Sequence, residues 1–142
     1  MSEANKKVAL DFLQAMSDGD AEGMGRCTTA DAETFTRGFG KVSGRRNRET
    51  MLATAAAFRD IIPTGFRPRV EKIIAEGDTV VLEFEGNAEL SNGQPYCNQY
   101  VFVFTFAHGK IRQLNEYFCT VLADERILPL LAQQSDQLAH GN

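Results

Sequence analysis

The chain has 142 residues, 15 basic against 19 acidic side chains, and a formal net charge of −4 with a pI near 5.2. That is the length of one ordinary domain, long enough to bury a core without disulfides or metal, and it is read as a single domain over 1–142. The mildly acidic balance gives no electrostatic reason to bind nucleic acid or an anionic membrane, which leaves small molecules and protein partners.

From Ser2, a candidate N-cap, the apolar positions Ala9, Phe12, Leu13 and Met16 recur at helical spacing and predict an amphipathic helix that ends at Asp18-Gly19. Asp20 can cap a second short helix reaching about Cys27. The stretch "AETFTR" (32–37) reads as a strand, and "GFGKVSG" as a glycine-rich loop too long for a dinucleotide fingerprint. The run "GRRNR", with Arg45, Arg46 and Arg48, reads as solvated charge. A third helix over roughly 47–61 stops before Pro63. The segments 66–75, 79–90, 95–107 and 110–122 then alternate, are rich in Val, Ile, Phe and Tyr, and are separated by turn-forming "EGD", "SNGQ" and "HG". "DERILPLLAQQ" reads as a short helix, and the last residues, about 134–142, as a flexible tail.

Helices first and a meander of long hairpins afterwards give an α+β architecture: a curved, mostly antiparallel sheet with about three N-terminal helices on its concave face, closing a cone. The uncovered outer face of such a sheet, with its apolar and aromatic residues, argues for a homodimer. Cys27, Cys97 and Cys119 are odd in number, widely spaced and without a C-x-x-C pair, so neither a disulfide framework nor a metal site is expected. The polar start "MSEANKK" and the lack of a long apolar run point to a soluble, cytoplasmic protein.

The segments "FLQAMSDGD" and "YCNQYVFVFTFAHGKIRQLNEYFCT" resemble the nuclear-transport-factor-two-like superfamily, and within it the SnoaL-like and ketosteroid-isomerase-like branch. The resemblance rests on Tyr96, Asn98, Tyr100, Gly109-Lys110-Ile111 and Glu116-Tyr117-Phe118-Cys119, with Cys119 where many relatives carry Asp. It implies a cystatin-like α+β barrel around a conical pocket, since this superfold hosts isomerases, cyclases, hydrolases and plain binding proteins. The last two hairpins are also similar to the limonene epoxide hydrolase family. There an ungapped alignment places Glu85 and Glu116 on two catalytic acids, Glu83 on the bridging arginine, and Asn98, Tyr100, Leu114 and Phe118 on the pocket wall.

Glu116 is thus expected to be a general acid or base with Glu85 as its coupled partner, and Asn98 and Tyr100 to orient a substrate oxygen. Phe12, Met16, Phe35, Phe58 and Phe102 are expected in the wall, and no cofactor is expected. The reading is a cofactor-free isomerase, cyclase or hydrolase acting on a small hydrophobic carbonyl compound or epoxide. The alternative is a ligand-binding or dimerisation domain without catalysis. Strand parity opposes this site. A plain two-residue turn at His108-Gly109 would set Tyr100 opposite Tyr117 and face Glu116 away from Asn98, so the alignment requires a β-bulge or a longer turn that shifts the pairing by one residue.

Overall fold

The computed structural model describes residues 2–140, with side chains described through residue 134. Helix α1 (Ser2–Asp18) buries Ala9, Phe12, Leu13 and Met16, as their spacing requires. Gly19, at φ 67°, ends it and donates its N–H to the Met16 carbonyl. Asp20 caps α2 (Ala21–Arg26), its carboxylate accepting from Gly23 N at 2.9 Å.

Strand β1 (Thr28–Thr36) is followed by the short β2 (Gly44–Asn47), formed by the arginine run that had read as solvated charge. Asn47 caps α3 (Arg48–Ile61), accepting from Thr50 N at 2.9 Å. The remaining strands are β3 (Arg69–Glu76), β4 (Thr79–Glu85), the small pair β5 (Ala88–Glu89) and β6 (Pro95–Tyr96), β7 (Gln99–Ala107) and β8 (Lys110–Phe118). The last strand ends sooner than its alternation suggested. Two helices follow, α4 (Thr120–Arg126) and α5 (Leu128–His140), with Pro129 in the first turn of α5, where its missing N–H costs nothing. Helix α5 extends over 134–140, where a flexible tail was expected; residues 141–142 lie outside the described residues.

The architecture is α+β. Six strands form one sheet in the order β2-β1-β8-β7-β4-β3, antiparallel throughout except for the parallel β1–β8 pair. Register shifts in the β1–β8, β3–β4 and β7–β8 pairs bend it, as extra residues in a strand do. Its concave face carries the fully buried Val80, Leu82, Phe84, Phe102 and Phe104, with Phe12 of α1 set edge-on against Phe104 at 5.7 Å. No helix among the described residues is long and apolar enough to cross a membrane.

The β7–β8 pairing decides which side chains face inward. Ala107 pairs with Lys110 and Phe106 with Ile111, but Thr105 then pairs with Gln113, leaving Arg112 as the extra residue of a bulge. Beyond it Phe104 faces Leu114, Phe102 faces Glu116 and Tyr100 faces Phe118. The one-residue shift that the alignment demanded is present. It turns Glu116 to the concave side because side-chain direction alternates with a period of two.

The segment joining α3 to β3 is held by one buried hydroxyl. Ser17 Oγ accepts from Phe66 N at 3.1 Å and from Arg67 N at 3.2 Å. Gly65 permits the close approach: its φ is 73°, and a Cβ there would lie 2.5 Å from the Ser17 carbonyl oxygen. Phe66 is thereby pressed against Tyr100 and Phe58.

Candidate active site

Between the helices and the concave face lies a cavity of about 120 Å³. Phe12 and Met16 of α1, Phe58 of α3, Phe102 of β7, and Leu114 and Phe118 of β8 line it. Met24, Met51, Phe66 and Ile127 complete much of the apolar wall. The charged or titratable side chains among the described lining residues are Arg46, Tyr96, Tyr100 and Glu116.

Glu116 enters from the middle of β8. Thr36, its partner across the parallel β1–β8 pair, donates its hydroxyl to Glu116 Oε1 at 2.8 Å. Burial raises the Glu116 pKa above the ordinary carboxylate range, while the Thr36 hydrogen bond and the Arg46 charge pull it back in part.

Tyr100 supplies the second polar group. Its ring stacks on Phe84 at 4.8 Å, 7° from parallel, and its buried hydroxyl makes no hydrogen bond to protein. Burial, reinforced by the nearby Tyr96 phenol, raises its pKa well above the usual phenol value, so it stays a neutral donor at any physiological pH. The Tyr96 hydroxyl oxygen accepts from Asn98 Nδ2 at 3.1 Å. Thr34 Oγ1, also in the wall, is likewise buried and unpartnered.

Three expected site residues lie elsewhere. Glu85 is on the outer face of β4, where Phe84 takes the inner side, and it pairs with Arg69 at 3.3 Å. It cannot share a proton with Glu116 through the sheet. Phe35 is also on the outer face, because Thr34 and Thr36 take the inward positions of β1; its ring lies 4.3 Å from the Arg37 and 4.2 Å from the Arg45 guanidinium carbon. Asn98 is buried but fully engaged. Its Oδ1 accepts from Gln99 N at 2.8 Å and Cys119 N at 3.2 Å, and its Nδ2 also donates to the Cys119 carbonyl at 3.0 Å.

Asn98 therefore ties the start of β7 to the end of β8 and leaves nothing for a substrate. Asn98→Ala is expected to lower stability by about 2–3 kcal/mol, since it strips partners from several part-buried groups at once. Urea unfolding of the two proteins checks this; an unchanged midpoint would contradict it. Cys119 is exposed and stands at the N-cap of α4 without a side-chain capping bond. An aspartate here would be placed to cap that helix, so the cysteine removes a cap and takes no acid out of the cavity wall.

Sequence reasoning missed Arg46, Thr34 and Thr36. Arg46 reaches the cavity from β2, its Nη1 donating to Thr36 Oγ1 at 3.1 Å and its Nη2 to the Val42 carbonyl at 2.7 Å. Val42 is fixed in turn by Asp124 of α4, which accepts from Lys41 N at 2.7 Å and Val42 N at 2.9 Å. The glycine-rich loop is thus a docking segment. Gly40 lets it approach α4, where a Cβ would fall 2.7 Å from the Thr120 Cβ.

Residues 9–114 match the model of a family described as the SnoaL-like domain. No curated protein matches the chain. Among solved structures, Bal32a from a soil-derived mobile gene cassette superposes with a TM-score of 0.75 at 20% identity, covering 88% of this chain and 97% of that one. A protein of Jannaschia sp. CCS1, provisionally assigned as a SnoaL-like polyketide cyclase, gives 0.71 at 17% identity over 89% of this chain and 92% of that one. An LEH-like epoxide hydrolase of M. tuberculosis gives 0.69 at 15% identity over 99% and 98%. At these identities the likeness establishes the fold alone.

Proposed function

The chain belongs to the SnoaL-like domain family, and from that premise we propose that it is a cofactor-free isomerase or cyclase that moves a proton on a small, largely apolar carbonyl compound. One observation carries the reading: the one carboxyl among the described lining residues, Glu116, is desolvated and shares a largely apolar cavity with the unpartnered Tyr100 hydroxyl. Phe102 faces Glu116 and Tyr100 faces Phe118, so acid and phenol are diagonal neighbours on one face, roughly 7–8 Å apart at the backbone. A carbonyl group fits between them. Glu116 would take the proton from the carbon next to the carbonyl, the C–H electron pair would move onto the oxygen, and Tyr100 would donate a hydrogen bond to the enolate. Return of the proton to another carbon completes an isomerisation; attack of the enolate carbon on a second carbonyl, whose π pair moves onto its oxygen and takes the proton back from Glu116, completes a cyclisation.

With Glu85 on the outer face, paired-acid opening of an epoxide lacks its second acid among the described residues, which favours carbonyl chemistry. The same observation favours the second reading, a non-catalytic ligand-binding domain. Incubation of the protein in D2O with a panel of hydrophobic ketones and aldehydes separates the two. Deuterium entering next to a carbonyl, detected by mass spectrometry, supports the enzyme. Ligands that raise the unfolding temperature but exchange no hydrogen point to the binding domain, and diols from a matching epoxide panel would restore the hydrolase.

A homodimer joined through the outer face of the sheet is the expected assembly. Val81, Val101 and Val103 line up there with Ile74 and Tyr117, 53% and 44% exposed, a contiguous apolar patch of the kind that partners cover. Light scattering should report twice the chain mass; a monomer persisting at high micromolar concentration would contradict this.

A further inference from the structure

The three side chains Arg46, Thr36 and Glu116 form a chain of hydrogen bonds whose directions are fixed by chemistry. A guanidinium can only donate, so the Thr36 oxygen accepts from Arg46 Nη1. The single Thr36 proton then goes to Glu116 Oε1, at 2.8 Å. With Glu116 ionised, its oxygens can only accept, so Oε1 takes the Thr36 proton's hydrogen bond and Oε2 is the oxygen left to receive a proton. Arg46 forms no salt bridge among the described residues; its charge acts on Glu116 across space, with the Thr36 hydroxyl standing between them and bonded to both. The guanidinium is itself anchored by the Val42 carbonyl, and Val42 by Asp124.

We propose that Arg46 is a positioning residue which, through the Thr36 hydroxyl, orients Glu116 so that Oε2 alone is the proton-accepting atom presented to the cavity. This rests on the reading of Glu116 as the acid–base group. The physical sense of the relay is one of degree. A direct arginine–carboxylate contact in a low-dielectric cavity would hold the acid firmly ionised and make it a feeble base, whereas an apolar pocket without any cation would keep it protonated. An intervening hydroxyl gives a smaller stabilisation of the carboxylate and fixes which oxygen reacts. The other titratable groups facing Glu116 across the cavity, Tyr96 and Tyr100, have raised pKa values and stay neutral, so they leave this balance to Arg46 and Thr36.

The test needs no substrate. Carbon-detected NMR follows the Glu116 carboxyl titration in the unsubstituted protein, in Thr36→Val, in Arg46→Met and in the double variant. Each single substitution should move the Glu116 midpoint to higher pH by roughly half a unit or more, because each removes a group that favours the ionised form. The double variant should move it by less than the sum, since without the Thr36 hydroxyl Arg46 loses the partner that holds its guanidinium near Glu116. Thr36→Ser, which keeps the hydroxyl, should titrate as the unsubstituted protein does. Unchanged midpoints in both single variants, or shifts that add in full, would overturn the relay. Should Arg46→Met not fold, Arg46→Gln, which keeps an N–H for Val42 without the charge, is read the same way. Failure of the acid–base reading shows differently, as turnover that survives loss of the Glu116 carboxyl while the relay still titrates as described.

Discussion

Glu116→Gln should abolish turnover of any substrate identified by hydrogen exchange while leaving the fold intact. The amide has the shape of the acid and can still accept the Thr36 hydroxyl through its own oxygen, so no cavity opens and no hydrogen bond is lost. What disappears is the group that carries the proton, and general acid–base catalysis of this kind is worth about 10²–10⁴ in rate. Stability should be unchanged or should rise at neutral pH. Burial raises the Glu116 pKa on folding, so the folded protein binds this proton more tightly than the unfolded chain does. Its contribution to stability therefore falls as the pH climbs from the ordinary glutamate range through the folded midpoint. Glutamine has no such dependence, and the stability difference between the two proteins should widen across that window and vanish below it. Thermal unfolding across the acid range, alongside the exchange assay, measures both effects. Full activity in Glu116→Gln, or identical pH profiles of stability, would show that this carboxyl is not the reacting group.

Some of this site was legible in the sequence and some was not, for reasons that residues make plain. Alternation in "YVFVFTFA" and the turn at His108-Gly109 were enough to fix the β7–β8 hairpin, but not its parity. A single extra residue, Arg112, reverses which side of β8 faces inward, and nothing in "GKIRQL" marks it as the bulge. The resemblance supplied that bit of information. Glu85 was misplaced because Glu83, Glu85 and Asn87 form a polar face that could line a cavity or meet water, and only the pairing with Arg69 decides between them. Phe35 was misplaced because an aromatic residue in a strand is ordinarily the inward one, whereas here two arginines cover its ring and two threonines point inward. Arg46 was lost in a run of like charges. Four residues of β2 separate Arg45 from Arg46 by face, and so short a strand leaves no periodic trace.

Tyr100→Phe should reduce turnover by about 10²–10³-fold without destabilising the protein. Most buried tyrosines are held by their hydroxyl, and removing it costs stability. This one makes no hydrogen bond to protein, so its phenol is desolvated without compensation. The ring does the packing: it stacks on Phe84 and meets Phe66, Phe102 and Phe118 edge-on or tilted, all contacts that phenylalanine keeps. Stability should therefore be equal to that of the unsubstituted protein, or higher by up to about 1 kcal/mol. The rate penalty has the size found when one oxyanion donor is removed, because the neutral phenol is pre-oriented where charge would develop on the substrate oxygen. It should fall mainly on kcat, since the donor matters most when the oxygen is negative. Urea unfolding and steady-state kinetics on the same preparations check the pair of effects. A structural tyrosine would give the opposite pattern, lost stability with kcat retained, and that outcome would remove Tyr100 from the chemistry and leave the carbonyl oxygen to Thr34, the other unpartnered hydroxyl in the wall.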